Sequence, residues 1–399
     1  MLIGLVGKPS AGKSTFFKAM TLAEVEIASY PFTTIKPNRG AGYLKVECVE
    51  KDFNTNCNPR EGFCMDGNRF VPVELLDVAG LVAGAHSGKG MGNQFLDDLR
   101  QANALIHVID ASGSTDEQGR SVDAGSHDPA EDVKFLETEL DMWYLGILKK
   151  PWERFAKQIY MEHHKVEEAI ANQFSGLNAT PEIVKAIISK LSLDPENPTK
   201  WSEENLKSFA IELRKTTKPI IIAANKADME TSSANIKKLQ EQFSDYMIIP
   251  CSAESELALK EAAKEELIKY VPGSNSFEIL KSDKLSPQQK KALSFIDENV
   301  FKKYESTGVQ ECLNKAVFEL LKYIVVFPGG VNKLADQHGN VLPDCMLMPE
   351  NSTALDFAFK LHTDFGKGFI RAIDVKTKKT IGKEYVLKNR DVIEIISRK

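Results

Sequence analysis

Strand-length apolar runs recur along the first two thirds of the chain, at Leu2-Ile3-Gly4-Leu5-Val6, Val71 to Leu76, Leu105-Ile106-His107-Val108-Ile109, Pro219 to Ala224 and Met247 to Ile249. Segments with helical spacing separate them. Near-continuous apolar runs mark strands buried on both faces, and their alternation with helices predicts an α/β domain with a mainly parallel sheet.

Between the third and fourth runs the pattern changes. Ser112 to Ala130 is rich in Gly, Ser and Asp and reads as a polar loop. From Glu131 to Arg214 the spacing turns helical, with Val133, Phe135, Leu136, Leu140, Trp143 and Leu145 as apolar-face positions and Pro151 and Pro181 as breaks. This pattern reads as a helical hairpin or coiled-coil arm projecting from the core, with a compact packed insert as the alternative. Further on, Glu254 to Tyr270 and Pro287 to Tyr323 read as helical, separated by a break at Val271-Pro272-Gly273-Ser274-Asn275. From Val325 the chain returns to short strands punctuated by Gly329-Gly330 and Gly339. The resulting division is 1–130 with 217–275 as the α/β domain, 131–216 as an insertion, 276–322 as a helical connector and 323–399 as a terminal unit.

Gly7-Lys8-Pro9-Ser10-Ala11-Gly12-Lys13-Ser14 has the form G-x-x-x-x-G-K-S and sits between the first strand and a helix-like stretch, with Thr15 following. In that context the glycines let backbone N–H groups turn inward around phosphates, and the helix N-terminus adds favourable partial charge. Lys13 is expected to reach the β- and γ-phosphates and Ser14 to ligate Mg²⁺. Asn225-Lys226-Ala227-Asp228 follows the fourth strand, at the edge where open α/β sheets bind ligands. A carboxylate at Asp228 can accept from both the N1–H and the exocyclic amine of guanine, whereas adenine offers an acceptor at N1. The expected ligands are therefore GTP and GDP.

Other pieces fall in the order a GTPase requires. Asp77-Val78-Ala79-Gly80 ends the second strand, placing a carboxylate to hold Mg²⁺ through water and the Gly80 N–H near the γ-phosphate. Thr33-Thr34 lies in the preceding loop, where Thr34 is the expected donor of a hydroxyl to Mg²⁺ while the γ-phosphate is present. Ser252 and Ala253, after the fifth strand, are expected to support the guanine O6 with backbone N–H groups.

These motifs, together with Tyr30-Pro31-Phe32-Thr33-Thr34, Asp77 to Val82 and the stretch Gly84 to Leu96, resemble the Obg-like GTPases, nearest to the archaeal branch of the YchF subfamily. Pro349 to Ala358 and Asp391 to Ile396 resemble a TGS domain, a ubiquitin-like β-grasp module. The resemblance implies a Ras-like P-loop GTPase core with a helical insertion, and a slow GTP-hydrolysing switch acting on ribosomes or translation. Three positions qualify it. YchF proteins of bacteria and eukaryotes commonly carry Glu where this chain has Asp228 and prefer ATP, so Asp228 favours guanine. Ser10 stands where many Obg relatives have the Asn associated with potassium-assisted hydrolysis. Leu81 replaces the glutamine that orients water in Ras-like proteins, so it cannot align the nucleophile, and turnover should be low unless a partner or a loop residue completes the site. His86 is the nearest ionisable candidate. A binding scaffold or stress regulator with little turnover, and an ATPase, are the alternatives.

At 399 residues the chain is long enough for two to three domains, and 42% hydrophobic with 27% charged residues suits a folded protein with a sizeable core. No apolar run approaches a membrane span, and Met1-Leu2-Ile3 leads straight into the first strand, so a cytoplasmic monomer without a membrane partner is expected. Although the net charge is −5, residues 360–399 hold eleven Lys/Arg against five Asp/Glu, a surplus able to attract phosphate backbones such as ribosomal RNA. Cys48, Cys57 and Cys64 crowd into one segment as C-x8-C-x6-C. No C-x-x-C pair accompanies them, so reduced thiols are the default and a metal site stays open.

Overall fold

The computed structural model describes residues 1–21, 38–78 and 92–398. Strands β1 (Leu2–Val6), β2 (Arg39–Glu47), β3 (Phe63–Met65), β4 (Asn68–Asp77), β5 (Ala104–Asp110), β6 (Ile220–Asn225) and β7 (Ile248–Pro250) form one sheet in the order β2-β4-β1-β5-β6-β7, with β3 paired to β4. The strands from β4 to β7 along this order run parallel, while β2 and β3 are antiparallel to β4. Strands β1, β5 and β6 are buried along their whole length, as their unbroken apolar runs require.

Helix α1 (Lys13–Thr21) packs on one face of this sheet, and α2 (Gly92–Gln101) precedes β5. The insertion contains α3 (Pro129–Lys149), α4 (Trp152–Glu162), α5 (Val166–Gln173), α6 (Pro181–Lys190) and α7 (Glu203–Thr217). Pro181 stands at the first turn of α6 and Pro151 directly before α4, where a missing N–H costs nothing. Of the two arrangements open from the sequence, packing favours the compact one. Leu140, Trp143, Ile170, Val184 and Leu213 share one buried core with Leu2, Leu76 and Leu105 of the sheet, so the helices spend their apolar faces on each other and on the sheet. Arg214, 1% exposed on α7, fixes the arrangement by donating to Asp141 Oδ1 of α3 at 2.8 Å and to Tyr246 Oη at 3.2 Å.

Two helical readings need correction. After α8 (Ser232–Gln242), α9 (Ala253–Lys264) stops before Tyr270, because Ile268–Lys269 forms a two-stranded ribbon, β8, with β9 (Glu278–Ile279). Burial of Ile268 and Tyr270 against Leu285, Ile296 and Phe301 is what overrides the helical spacing there. Helices α10 (Pro287–Ile296), α11 (Lys302–Tyr304) and α12 (Val309–Lys315) are likewise interrupted, at Glu305 and Gly308, both with positive φ. Tyr323 then opens a strand instead of closing a helix.

The terminal sheet, in the order β11-β10-β14-β12-β13, is built from β10 (Tyr323–Pro328), β11 (Met346–Pro349), β12 (Phe369–Asp374), β13 (Lys379–Ile381) and β14 (Asp391–Ser397). Its β10–β14 pair is parallel and the rest antiparallel, and α13 (Ala354–Leu361) packs across it through Ala354 and Phe357. That is a β-grasp arrangement. Val325, Phe327 and Val392 from this sheet join Ile3, Leu44 and Val73 in a single buried cluster, so the two sheets share apolar core. Among the described residues, no helix is long and apolar enough to cross a membrane.

Candidate phosphate and base site

The parallel strands β4, β1, β5, β6 and β7 end at one edge of the sheet, and the G-x-x-x-x-G-K-S loop leaves β1 there. A Cβ on Gly7 would stand 2.4 Å from the carbonyl oxygen of Val108, so only glycine lets the loop leave β1 alongside β5. Gly12 has φ +92°, and a Cβ there would lie 2.2 Å from Asn225 Nδ2. The Gly12 carbonyl accepts from Phe16 N at 2.9 Å, starting α1 with Ser14 and Thr15 in its first turn.

Asn225 ties the loops together. Its Nδ2–H donates to Ala11 O at 2.9 Å, and its Oδ1 accepts from Ala253 N at 3.0 Å, with the side chain only 4% exposed to solvent. Ser252 acts as the N-cap of α9, its Oγ accepting from Ser255 N, while its own N–H donates to Thr307 O at 2.9 Å. The amides of Ser252 and Ala253 thus donate inward, to Thr307 and Asn225, because a buried N–H must find a partner and the protein supplies one. Thr307 is in turn held by a fully buried carboxylate, Glu256, which also accepts from Tyr270 Oη.

A cavity of about 460 Å³ opens between these elements. The loop and the first turn of α1 line one side, and Asn225, Lys226, Asp228, Ala253 and Glu254 line the other. Asp228 is half-buried at this rim. Lys226, at φ 61°, turns its ammonium onto Asp110 Oδ2 at 2.8 Å. Asp110 ends β5 directly opposite Asn225 and collects the hydroxyls of Ser112, Ser114 and Thr115 as well. Burial alone would raise its carboxyl, but the Lys226 ammonium and those hydroxyls outweigh burial and hold it below the usual carboxylate range. Asp110 was not singled out from the sequence, although a carboxylate closing a buried run at this sheet edge is a readable signal.

Lys13 Nζ pairs with Asp77 at the end of β4, next to Ser14. An ammonium and a carboxylate thus meet at one end of the loop, with Ser14 following Lys13 in the first turn of α1, residue types that suit phosphate and Mg²⁺. Lys8 differs from the rest of the loop. Its buried ammonium leaves the cavity, donating to Thr115 O at 2.8 Å and pairing with Asp132 of α3 at 2.9 Å, so only its backbone is left for a phosphate. Burial pushes the Asp132 carboxyl up, with Lys8 and His127 opposing. Thr34, Gly80, Leu81 and His86 lie outside the described residues.

Comparison with known proteins agrees with this arrangement of elements. Residues 2–136 match the family described as 50S ribosome-binding GTPase, 223–330 the Obg-like GTPase YGR210-like, G4 motif-containing domain, and 338–397 the TGS domain. An uncharacterized GTP-binding protein of Methanocaldococcus jannaschii is 50% identical over 397 residues, with 99% of each chain covered. The crystal structure of a GTP binding protein from Pyrococcus horikoshii OT3 superposes with a TM-score of 0.79 at 43% identity, covering 100% of both chains. The ribosome-binding ATPase YchF of Bacillus subtilis is 27% identical over 424 residues, covering 98% of this chain and 97% of that one.

Proposed function

Because the chain belongs to the YchF subfamily of the Obg-like GTPases and carries its C-terminal TGS domain, we propose that it is a GTP-binding, slowly GTP-hydrolysing switch that acts on ribosomes. The observation that carries the reading is that the phosphate loop and the base-reading carboxylate Asp228 line one cavity.

In this reading the loop amides from Gly7 to Thr15 cradle the phosphates, and Lys13 shares its charge between Asp77 and the β- and γ-phosphoryl oxygens. Ser14, Asp77 and Thr34 are the residues that would hold Mg²⁺, which when bound neutralises phosphate charge. Gly80 would offer its N–H to the γ-phosphate. Asn225 acts as a positioning residue, holding the loop against β6, and Lys226 closes one wall of the base pocket through Asp110. Asp228 accepts two hydrogen bonds from guanine, and adenine leaves it with an unmatched acceptor, a mismatch that binding sites penalise strongly. Since Leu81 cannot align a water, hydrolysis waits for a further group, and the state of the nucleotide can be timed by a partner.

The ribosome as partner rests on the name of the Bacillus subtilis relative and on the family matched by residues 2–136. Exposed Lys378, Lys379 and Lys383 on the terminal sheet supply charge for a phosphate backbone. Co-sedimentation with ribosomes and separated subunits tests this, comparing a non-hydrolysable GTP analogue, GDP and ATP at fixed moderate salt. Pelleting strengthened by the GTP analogue supports the switch; pelleting indifferent to nucleotide favours a scaffold, and strengthening by ATP favours an adenine-reading enzyme like the Bacillus subtilis relative.

A further inference from the structure

Glu47 ends β2, and a short helical turn over Val49–Phe53 follows with Cys48 before it. The β3–β4 hairpin returns through the two-residue turn Asp66–Gly67, both at positive φ, the geometry that Asp-Gly favours. Its Gly67 carbonyl accepts from Cys48 N at 2.9 Å, which lays Cys64 of β3 beside the start of the turn. Cys57 is drawn in by its own N–H, which donates to Glu50 Oε2 at 2.8 Å. Ligand atoms of Cys48, Glu50, Cys57 and Cys64 consequently all lie within 4.8 Å of one another.

We propose that Cys48, Glu50, Cys57 and Cys64 bind a zinc ion that fixes the segment on which the TGS domain rests. Tetrahedral zinc with Zn–S of about 2.3 Å and Zn–O of about 2.1 Å requires S···S edges of about 3.8 Å and S···O edges of about 3.6 Å. Cys48 Sγ to Cys57 Sγ is 3.6 Å and Cys64 Sγ to Glu50 Oε1 is 3.4 Å, each within 0.2 Å of those edges and, for the sulfur pair, far from the roughly 2.0 Å of a disulfide. Glu50 is already oriented by the Cys57 amide, as an outer shell should orient a ligand. Charge fits as well: three thiolates and a carboxylate leave a net −2 around Zn²⁺, and Arg69, fully buried, stands nearby with its Nε–H without a hydrogen-bond partner. Binding releases the thiol protons to solvent.

What the ion would hold is the inter-domain seam. Asn58 N and Arg60 N, between the second and third cysteines, donate to Val341 O and Pro343 O at 2.8 and 3.0 Å, just before β11. Arg69 donates to Leu342 O, Lys376 pairs with Asp52 at 2.6 Å, and Arg390 pairs with Glu47 at 2.7 Å. Every one of these anchors sits on or beside the cysteine segment.

The test uses the full chain, reduced, stripped with chelator and titrated with Co²⁺, then back-titrated with Zn²⁺. Tetrahedral Co²⁺–thiolate bands saturating at one ion per chain and displaced by Zn²⁺ are expected. The partly exposed Cys57→Ser and Cys64→Ser variants, which avoid disturbing buried Cys48, should weaken Co²⁺ binding at least as much as the roughly 10- to 100-fold cost of losing an outer-shell partner. Cys345→Ser should leave the bands unchanged. Hydrogen exchange at 341–344 should quicken on chelation in the wild type and be insensitive to chelator in Cys64→Ser. Absence of the bands in reduced protein, or their survival in both variants, would overturn the proposal.

Discussion

Replacing Asn225 by Ala removes a donor and an acceptor from the most buried junction of the site. It strands the carbonyl of Ala11 and the N–H of Ala253, residues that are 0% and 1% exposed. Each stranded group costs roughly 1–3 kcal/mol, which predicts a loss of about 2–6 kcal/mol, a large share of a typical domain's 5–15 kcal/mol. The same bonds hold the loop for phosphate, so affinity for GDP should fall at least about tenfold, equivalent to about 1.4 kcal/mol. Asn225→Asp separates the two halves. It keeps an acceptor for Ala253 but sets a carboxylate against the Ala11 carbonyl, so its defect relative to wild type should shrink at acid pH, where a protonated carboxyl can donate. Urea denaturation and titration with a fluorescent GDP analogue at pH 7.5 and 5.5 measure both quantities. A loss below about 1 kcal/mol with unchanged GDP affinity would refute the claim that Asn225 is the tie between the loops.

Other expectations follow from the same contacts. Gly7→Ala must move β1 away from Val108, since its Cβ would meet that carbonyl at 2.4 Å; a loss of about 1–3 kcal/mol on urea denaturation, with weaker nucleotide binding, is expected. Arg214→Ala leaves Asp141 unpaired and should cost about 3–5 kcal/mol in the same assay, and a loss below about 1 kcal/mol would refute the role of Arg214 in joining α7 to α3. His107, fully enclosed in β5, has its imidazole pushed down to about 3 by burial, with Lys8 adding repulsion. Between that value and the ordinary 6.5 the unfolded chain binds a proton the folded chain does not, so stability falls as pH drops, by about 2 kcal/mol from pH 7 to pH 5. His107→Gln should flatten that part of the stability–pH curve, and an unchanged slope would assign the acid sensitivity elsewhere.

The parts of the site written as contiguous motifs were legible in the sequence because their chemistry is backbone chemistry. Gly7 is required by a contact on the neighbouring strand β5 and Gly12 by one at the end of β6, and Asp228 is presented by the strand it follows. Partnerships between distant segments were not legible. Asp110 matters only because β5 and β6 are in register, and Lys8 turns away from the loop because α3 brings Asp132 to it. The side chain of Ser252 caps α9 and its amide donates to Thr307, which lies more than fifty residues downstream, and neither partnership is written in the local motif. Helical spacing between 131 and 216 was readable, whereas the surface covering it was not, since an apolar stripe does not name its partner. The cysteine cluster hides for a related reason: its spacing matches no compact motif, and a hairpin with a tight turn brings the thiols together.

Guanine reading by Asp228 is the central claim, and competitive binding of GTP and ATP to the wild type and to Asp228→Asn tests it most directly, by calorimetry with Mg²⁺ present. The account predicts that the wild type prefers GTP and that Asp228→Asn loses most of that preference, by at least about tenfold, while its affinity for inorganic triphosphate is unchanged. Equal affinities in the wild type, or a preference for GTP that survives the substitution, would contradict it.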